Sequence, residues 1–236
     1  MSSSKPLAIV FGGSRGIGAA CVNALATDGY DVAFTYVSKA PASSEGKAYA
    51  ADIQDPAAVA RVFADARRDF GRAPKVVIAN AGINVPPGPL AQFNPDDFRK
   101  LVEVNIVGAF NILAEAARQV QDGGAIVALT TSLVRHAVPG VGAYSASKAA
   151  VESLVRSLAR ELAGRQVRVN AVAPGPVDTD LFHAGKTDEA KQRSAAMSPF
   201  NRVGQPAEIA EVVRFLVSDK ASWVHGQIVQ PNGGLV

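Results

Sequence analysis

Short runs rich in valine and isoleucine recur along this chain, and longer amphipathic stretches separate them. That alternation limits the fold more than any single residue does. A β-branched run without polar alternation must be buried on both faces of a sheet, and each stretch between runs must supply a helix to cover it. The runs predict strands over 7–11, 31–36, 47–50, 75–79, 125–130, 166–172 and 227–229. The stretches between them predict helices over 16–27, 56–70, 95–120, 142–163 and 206–217. Asp55-Pro56 and Asn94-Pro95 each put a capping side chain before a proline at the first helical position. About seven strands with helices between them specify an α/β fold with a parallel sheet.

Two connections break the rhythm. Only residues 37–46, with Pro41 and Ser43-Ser44 among them, join the second and third strands. That is short for a parallel crossover, so a loop or single turn is expected there. Residues 181–200 form a long irregular excursion before the last helix, a length typical of substrate lids.

No Pro/Gly/Ser-rich linker divides the 236 residues, so a single domain over 1–236 is expected, with residues 1–4 loose. The net charge of +3 is not gathered into the Lys/Arg run that tracks a phosphate backbone, which argues against nucleic-acid binding. No apolar run reaches the roughly 18 residues that span a bilayer, and no charged-then-apolar leader opens the chain; a cytoplasmic protein is expected. The lone Cys21 reads as a small buried hydrophobe. The histidines, His136, His183 and His225, match no metal-ligand spacing, so no metal site is expected.

Directly after the first strand comes Gly12-Gly13-Ser14-Arg15-Gly16-Ile17-Gly18, opening a helix. Glycines in that context allow a sharp turn, close approach of backbone to a pyrophosphate, and tight helix–strand packing. The helix start then aims unsatisfied N–H groups and the positive end of its dipole at the phosphates. Further on, Tyr144 and Lys148 lie four residues apart on the helix over 142–163, hence on one face a turn apart. A free tyrosine has a pKa near 10, and making it an acid–base near neutrality takes on the order of 4 kcal/mol of preferential phenolate stabilisation. A neighbouring ammonium can supply part of it. On its own such a pair would read as an ordinary solvated helix face.

The spacing G-x-x-x-G-x-G at Gly12, Gly16 and Gly18 resembles that of the short-chain dehydrogenase/reductase family, and the resemblance continues in order along the chain. Asp52-Ile53 is similar to the family's adenine-contacting pair, and Asn80-Ala81-Gly82 to the end of its fourth strand, with Ala79 where a second asparagine is frequent. Asn105 followed by Gly108 resembles the family's helix asparagine, and Tyr144-Ser145-Ala146-Ser147-Lys148 its Y-x-x-x-K. The segment Pro174-Gly175-Pro176-Val177-Asp178-Thr179 resembles the loop that closes on the nicotinamide. The resemblance implies a single Rossmann-type doubly wound sheet, an NADP(H)- or NAD(H)-dependent hydride transfer to a ketone or from a secondary alcohol, and Tyr144 as general acid/base with Lys148 beside it. It places Gly12, Ser14, Arg15, Gly16, Ile17, Gly18, Asp52, Ile53, Asn80, Ala81, Gly82, Tyr144, Lys148, Pro174, Gly175, Val177 and Thr179 against the cofactor. Asn105 would organise its helix and a water relay to Lys148, although by itself it reads equally as an exposed polar residue.

The choice of nicotinamide follows from charge. A carboxylate ending the second strand would bind the ribose 2′-hydroxyl of NAD and repel the 2′-phosphate of NADP. That position reads Tyr36-Val37-Ser38-Lys39, and Arg15 lies within the glycine turn. Arginine grips phosphate through paired hydrogen bonds, so Arg15, Lys39, Ser38 and Tyr36 point to NADP(H).

The hydroxyl that partners Tyr144 is open between neighbours. Counting from the strand indicates Thr131; counting from the following loop favours Ser132, and Ser132 is the preferred assignment. Substrate choice would belong to 83–90, 133–141 and the lid, where Val134, Val138, Val141, Leu181, Phe182, Met197 and Phe200 could wall an apolar cavity. The resemblance lies with 3-oxoacyl carrier-protein reductases and carbonyl reductases, and it implies a homotetramer or homodimer built on the helices over 95–120 and 142–163. The competing class is a regulator or scaffold that holds NADP(H) without turnover.

Overall fold

The computed structural model describes residues 5–41 and 44–236. The expected loose start, 1–4, and Ser43 of the short crossover lie outside the described residues.

Strand β1 (Leu7–Phe11) leads into helix α1 (Gly16–Thr27), followed by β2 (Asp31–Tyr36), β3 (Lys47–Ala50), α2 (Pro56–Phe70) and β4 (Val76–Ala79). Helix α3 (Pro95–Leu101) runs through a π-helical stretch, Val102–Gly108, into α4 (Ala109–Gln119). Then come β5 (Ala125–Leu129), α5 (Gly142–Leu162), β6 (Arg168–Val172), the short α6 (Asp180–His183), α7 (Asp188–Ala196), α8 (Pro206–Val217) and β7 (Ile228–Val229). The seven strands form one parallel sheet in the order β3-β2-β1-β4-β5-β6-β7. Expected and observed strand ends differ by a residue or two, the usual fraying of boundaries.

Burial explains the composition of each strand. In β1, β4 and β5 every residue is buried, because parallel strands at the middle of a sheet are covered on both faces. The edge strand β3 is exposed at both ends and reads Lys-Ala-Tyr-Ala. One core lies under α2, α4 and α5, where Phe11 and Phe63 meet at 5.6 Å between ring centroids. The other lies under α1 and α8, with Cys21, Leu25, Phe34 and Leu216 in it. Cys21 is fully buried.

Both expected caps form: Asp55 accepts from the Ala57 N–H at 2.8 Å, and Asn94 from the Asp96 N–H at 2.8 Å. Among the described residues no helix interrupts the β2–β3 crossover. The expected continuous helix over 95–120 is present but widened by the π stretch centred near Asn105. The expected lid resolves into α6 and α7; no residue of α7 is buried, whereas Phe182 of α6 is, beneath the Lys186 ammonium at 3.6 Å from its ring centroid.

The strand order runs outward in both directions from β1 and β4, so their connections leave on opposite faces. A crevice opens at the carboxyl ends of the strands at such a reversal, and ligands of open α/β sheets bind there.

Candidate active site

The glycine turn sits at that crevice. Gly12 (φ 76°) and Gly16 (φ 55°) occupy left-handed backbone that other residues resist. A Cβ on Gly18 would lie 2.0 Å from the Gly12 carbonyl oxygen, so no side chain fits. The turn is pinned from both sides: the Gly12 N–H donates to Thr35 Oγ1 at 2.9 Å, and Asn80 Nδ2 donates to the Gly12 carbonyl at 2.8 Å. At the start of α1, Arg15 caps through extended backbone without a side-chain bond, and no acidic residue occupies the first turn. The first N–H groups therefore keep their donor capacity for an external anion.

Arg15 and Lys39 are exposed, and neither makes an ion pair among the described residues. Tyr36 and Ser38 stand at and just beyond the end of β2. Across the crevice, Asp52 Oδ1 accepts from the Gln54 N–H at 2.9 Å, and Ile53 is buried against Gly108, where a Cβ would come within 2.6 Å of it. Asn111 Nδ2 donates to the Ile53 carbonyl at 2.9 Å, fixing this stretch to α4.

Tyr144 and Lys148 share one face of α5. Lys148 is buried and its Nζ donates to the Leu129 carbonyl at 3.0 Å, at the end of β5. Burial pushes the Tyr144 phenol up to about 12 and pulls the Lys148 ammonium down to about 8. Asn105 is fully buried; its Oδ1 accepts from the Ile83 N–H at 2.9 Å, and its Nδ2 donates to the Ile83 carbonyl at 2.9 Å and to Ser147 Oγ at 3.1 Å. A Cβ on Gly82 would sit 3.1 Å from both Asn105 Oδ1 and Lys148 Nζ, so these groups converge beside β4. The bland alternative for Asn105, an exposed helix residue, is excluded by its burial.

The neighbouring hydroxyls differ in what they are free to do. Ser132 is fully buried and donates its hydroxyl proton to the Ala173 carbonyl at 2.8 Å. Thr131 Oγ1 accepts from the Leu133 N–H at 3.3 Å and makes no donation among the described residues.

The segment from Pro174 passes close to the glycine turn. The Ser132 N–H donates to the Pro174 carbonyl at 2.9 Å, and a Cβ on Gly175 would press on Asn232 at 3.0 Å. Val177 bridges to Gly204, and the Thr179 methyl lies 3.3 Å from where a Gly16 Cβ would be. Thr179 also caps α6, accepting from the Phe182 N–H at 3.1 Å. The nearby His183 pairs with Asp178, whose carboxyl is held below its ordinary range by that bond.

Of the expected apolar wall, Leu181, Met197 and Phe200 stand exposed, Phe200 by 70 %. A cavity of about 1060 Å³, bordered by Tyr30, Arg168 and Trp223, opens at the opposite end of the sheet and includes no expected site residue. Among the described residues no group of three or more His, Cys, Asp or Glu is placed to hold a metal ion, and no helix is long and apolar enough to cross a membrane.

Several structural partners escaped the sequence reading. Thr35 and Asn111 act through backbone groups distant in sequence, which only the folded chain brings near. Ser147 lies inside the Y-x-x-x-K stretch, and it accepts from Asn105 Nδ2 of the π stretch, 42 residues away in sequence. Glu152 falls four residues beyond Lys148, a spacing that could have flagged it.

This geometry is that of a dinucleotide-dependent oxidoreductase of the doubly wound type. The enoyl-(acyl carrier protein) reductase family model matches residues 12–236. An NADPH-dependent aldehyde reductase-like protein of Arabidopsis thaliana is 40% identical over 98% of this chain and 94% of its own length. The 3-oxoacyl-[acyl-carrier-protein] reductase MabA of Mycobacterium bovis is 37% identical over 96% of this chain and 91% of its own. Among solved structures, a short-chain dehydrogenase of Burkholderia cenocepacia in complex with NADP superimposes with a TM-score of 0.88, at 31% identity over 99% of this chain and 98% of that one. The chain belongs to the short-chain dehydrogenase/reductase family.

Proposed function

We propose that this protein transfers a hydride between NADP(H) and a carbonyl or secondary alcohol, with Tyr144 exchanging the accompanying proton. The observation behind this is the convergence of Lys148, Asn105 and Gly82, with Tyr144 one turn before Lys148 on the same face of α5, next to the Ala81 backbone that packs on Gly12 of the glycine turn. The residues present fit the cofactor: bare glycines where its pyrophosphate would approach, N–H donors at a helix start, and Arg15 and Lys39, which make no ion pair among the described residues, for a 2′-phosphate. The NADPH and NADP named for relatives point the same way. Bound there, the cofactor supplies or accepts the hydride.

The Tyr144 phenol, held up at about 12, keeps its proton at neutral pH, which suits donation from Oη to the oxygen of a substrate being reduced. Working as a base near pH 7 would require lowering it by about 7 kcal/mol. Lys148, down at about 8, remains mostly charged at pH 7 and can contribute to that stabilisation. Asn105 and Ser147 hold the backbone around both groups.

For the third member, the free donor on Thr131 supports that hydroxyl over Ser132, whose proton is committed to Ala173. Retained turnover in Ser132→Ala with loss in Thr131→Val would agree; the opposite pattern restores Ser132.

The substrate class is read as medium-sized aldehydes and ketones, including β-keto thioesters, from the exposed apolar side chains Leu181, Met197 and Phe200 of the expected lid and from the names of the relatives. Assembly as a homotetramer in the cytoplasm belongs to the same proposal; Phe98 and Phe110, exposed along α3 and α4, support helix pairing between subunits. The functional test is reduced-nicotinamide oxidation with NADPH and with NADH against such carbonyls. Cofactor binding without turnover across the panel would replace an enzyme with a sensor.

A further inference from the structure

The stripe of α5 that holds Tyr144 and Lys148 continues one turn further to Glu152. Glu152 plays no part in the reaction proposed above, yet it is 2 % exposed, a setting carboxylates rarely occupy unless they are paired. Its Oε1 accepts from the Arg135 guanidinium at 2.9 Å and from Thr130 Oγ1 at 3.4 Å, and Arg156 approaches Oε2 at 3.7 Å.

Thr130 and Arg135 flank the two candidate hydroxyls, Thr131 and Ser132. The turn between them closes on itself, since the N–H groups of Arg135 and His136 both donate to the Ser132 carbonyl at 2.9 Å. Lys148 ties the strand end just before it through the Leu129 carbonyl. The segment over 129–135 is thus fastened to α5 at two points one turn apart, at Leu129 through Lys148 and at Thr130 and Arg135 through Glu152. A charge-assisted bond is shorter and stronger than a neutral one, and a buried carboxylate left unpaired is costly, so the Glu152–Arg135 contact resists opening.

We propose that Glu152, acting through Arg135, is a positioning residue that fixes the hydroxyl turn at its working distance from the Tyr144 phenol. The proposal rests on the reading of Tyr144 and Thr131 given above. Proton transfer and substrate alignment lose rate when reacting groups drift by about 1 Å, so the contact affects turnover without touching substrate.

The test uses the full chain with Arg135→Ala, Glu152→Gln and, as the conservative control, Arg135→Lys. Arg135 is partly exposed, so its truncation removes little packing. It leaves the buried Glu152 carboxylate with only Thr130 and the more distant Arg156 among the described residues, and Glu152→Gln, which removes that charge, controls for this cost. In Arg135→Ala and Glu152→Gln, amide exchange over 132–136 should quicken by about tenfold while amides in β1 and β4 are unchanged. The turnover number should fall roughly 10- to 100-fold, in the range lost by slight misplacement, with NADPH affinity held within about twofold. Arg135→Lys should recover part of the turnover. Thr131→Val should lose activity in the natural background and add little on top of Arg135→Ala, because a displaced hydroxyl has nothing left to contribute. Unchanged exchange, or fully additive losses, overturns the proposal whatever the absolute rates. A natural protein whose variants exchange as expected but which reduces no carbonyl overturns the functional reading instead.

Discussion

The two sides of the crevice are built on different terms. The side proposed to hold the cofactor, from the glycine turn through Asn80, has its backbone hydrogen-bonded to neighbours and its glycines enclosed, so little there can change without collision. The other side, 133–141 with α6 and α7, where we propose the substrate enters, exposes Leu181, Met197 and Phe200 and buries no residue of α7. A ligand shared by many enzymes can be met by a rigid cradle; a substrate that varies is met by surface loops, which tolerate replacement. The difference shows where this protein is constrained and where it is free.

The sharpest way to break the contrast is at its tightest point. Gly18→Ala forces a methyl group onto the Gly12 carbonyl and should weaken NADPH binding by at least about 100-fold, measured by titration calorimetry. A comparable loss from Phe200→Ala would erase the distinction.

Stability offers the next comparison. Phe63→Ala removes a fully buried ring that meets Phe11 and should cost about 3–5 kcal/mol in denaturant unfolding. Phe200→Ala, on the exposed side, should cost less than about 1 kcal/mol.

A smaller effect separates function from stability at Lys148, between the two sides. Burial holds the Lys148 ammonium at about 8 rather than 10.5, so the folded state binds fewer protons than the unfolded state between those values. The resulting cost is fully present below pH 8 and is relieved as pH rises toward 10.5. Lys148→Met should therefore stabilise the empty protein by up to about 3 kcal/mol at pH 7 while abolishing turnover, and that advantage should shrink between pH 8 and 10.5. An advantage independent of pH would assign the cost to packing instead.

The smallest expected change tests cofactor selection. Arg15→Ala should weaken NADPH binding about tenfold, near the value of one charge-assisted hydrogen bond, and leave NADH almost untouched.

How much was legible in the sequence follows the same division. The strand pattern and the glycine turn were readable because periodicity and left-handed backbone leave marks at fixed spacing. Tyr144 and Lys148 share a face by their four-residue spacing, but it is the ordered set of family-like motifs around them, not that spacing, that singles out the pair. The π stretch at Asn105 was not readable, since no proline marks where the helix widens and the bonds Asn105 makes there, to Ile83 and Ser147, are tertiary. Nor was the difference between Thr131 and Ser132, because one residue of register decides which hydroxyl meets the Ala173 carbonyl. Residues 181–200 have no strong period, and their division into α6 and α7 depends on the Thr179 and Thr187 caps.

The most direct test of the account is the initial rate of NADPH and NADH oxidation with aldehydes, β-ketoesters and acyl thioesters, run beside Tyr144→Phe. The account predicts turnover that favours NADPH and falls by about 10²–10⁴-fold in the variant, the usual contribution of a positioned acid–base group. Equal turnover by Tyr144→Phe, under conditions where the cofactor binds both proteins, would contradict it.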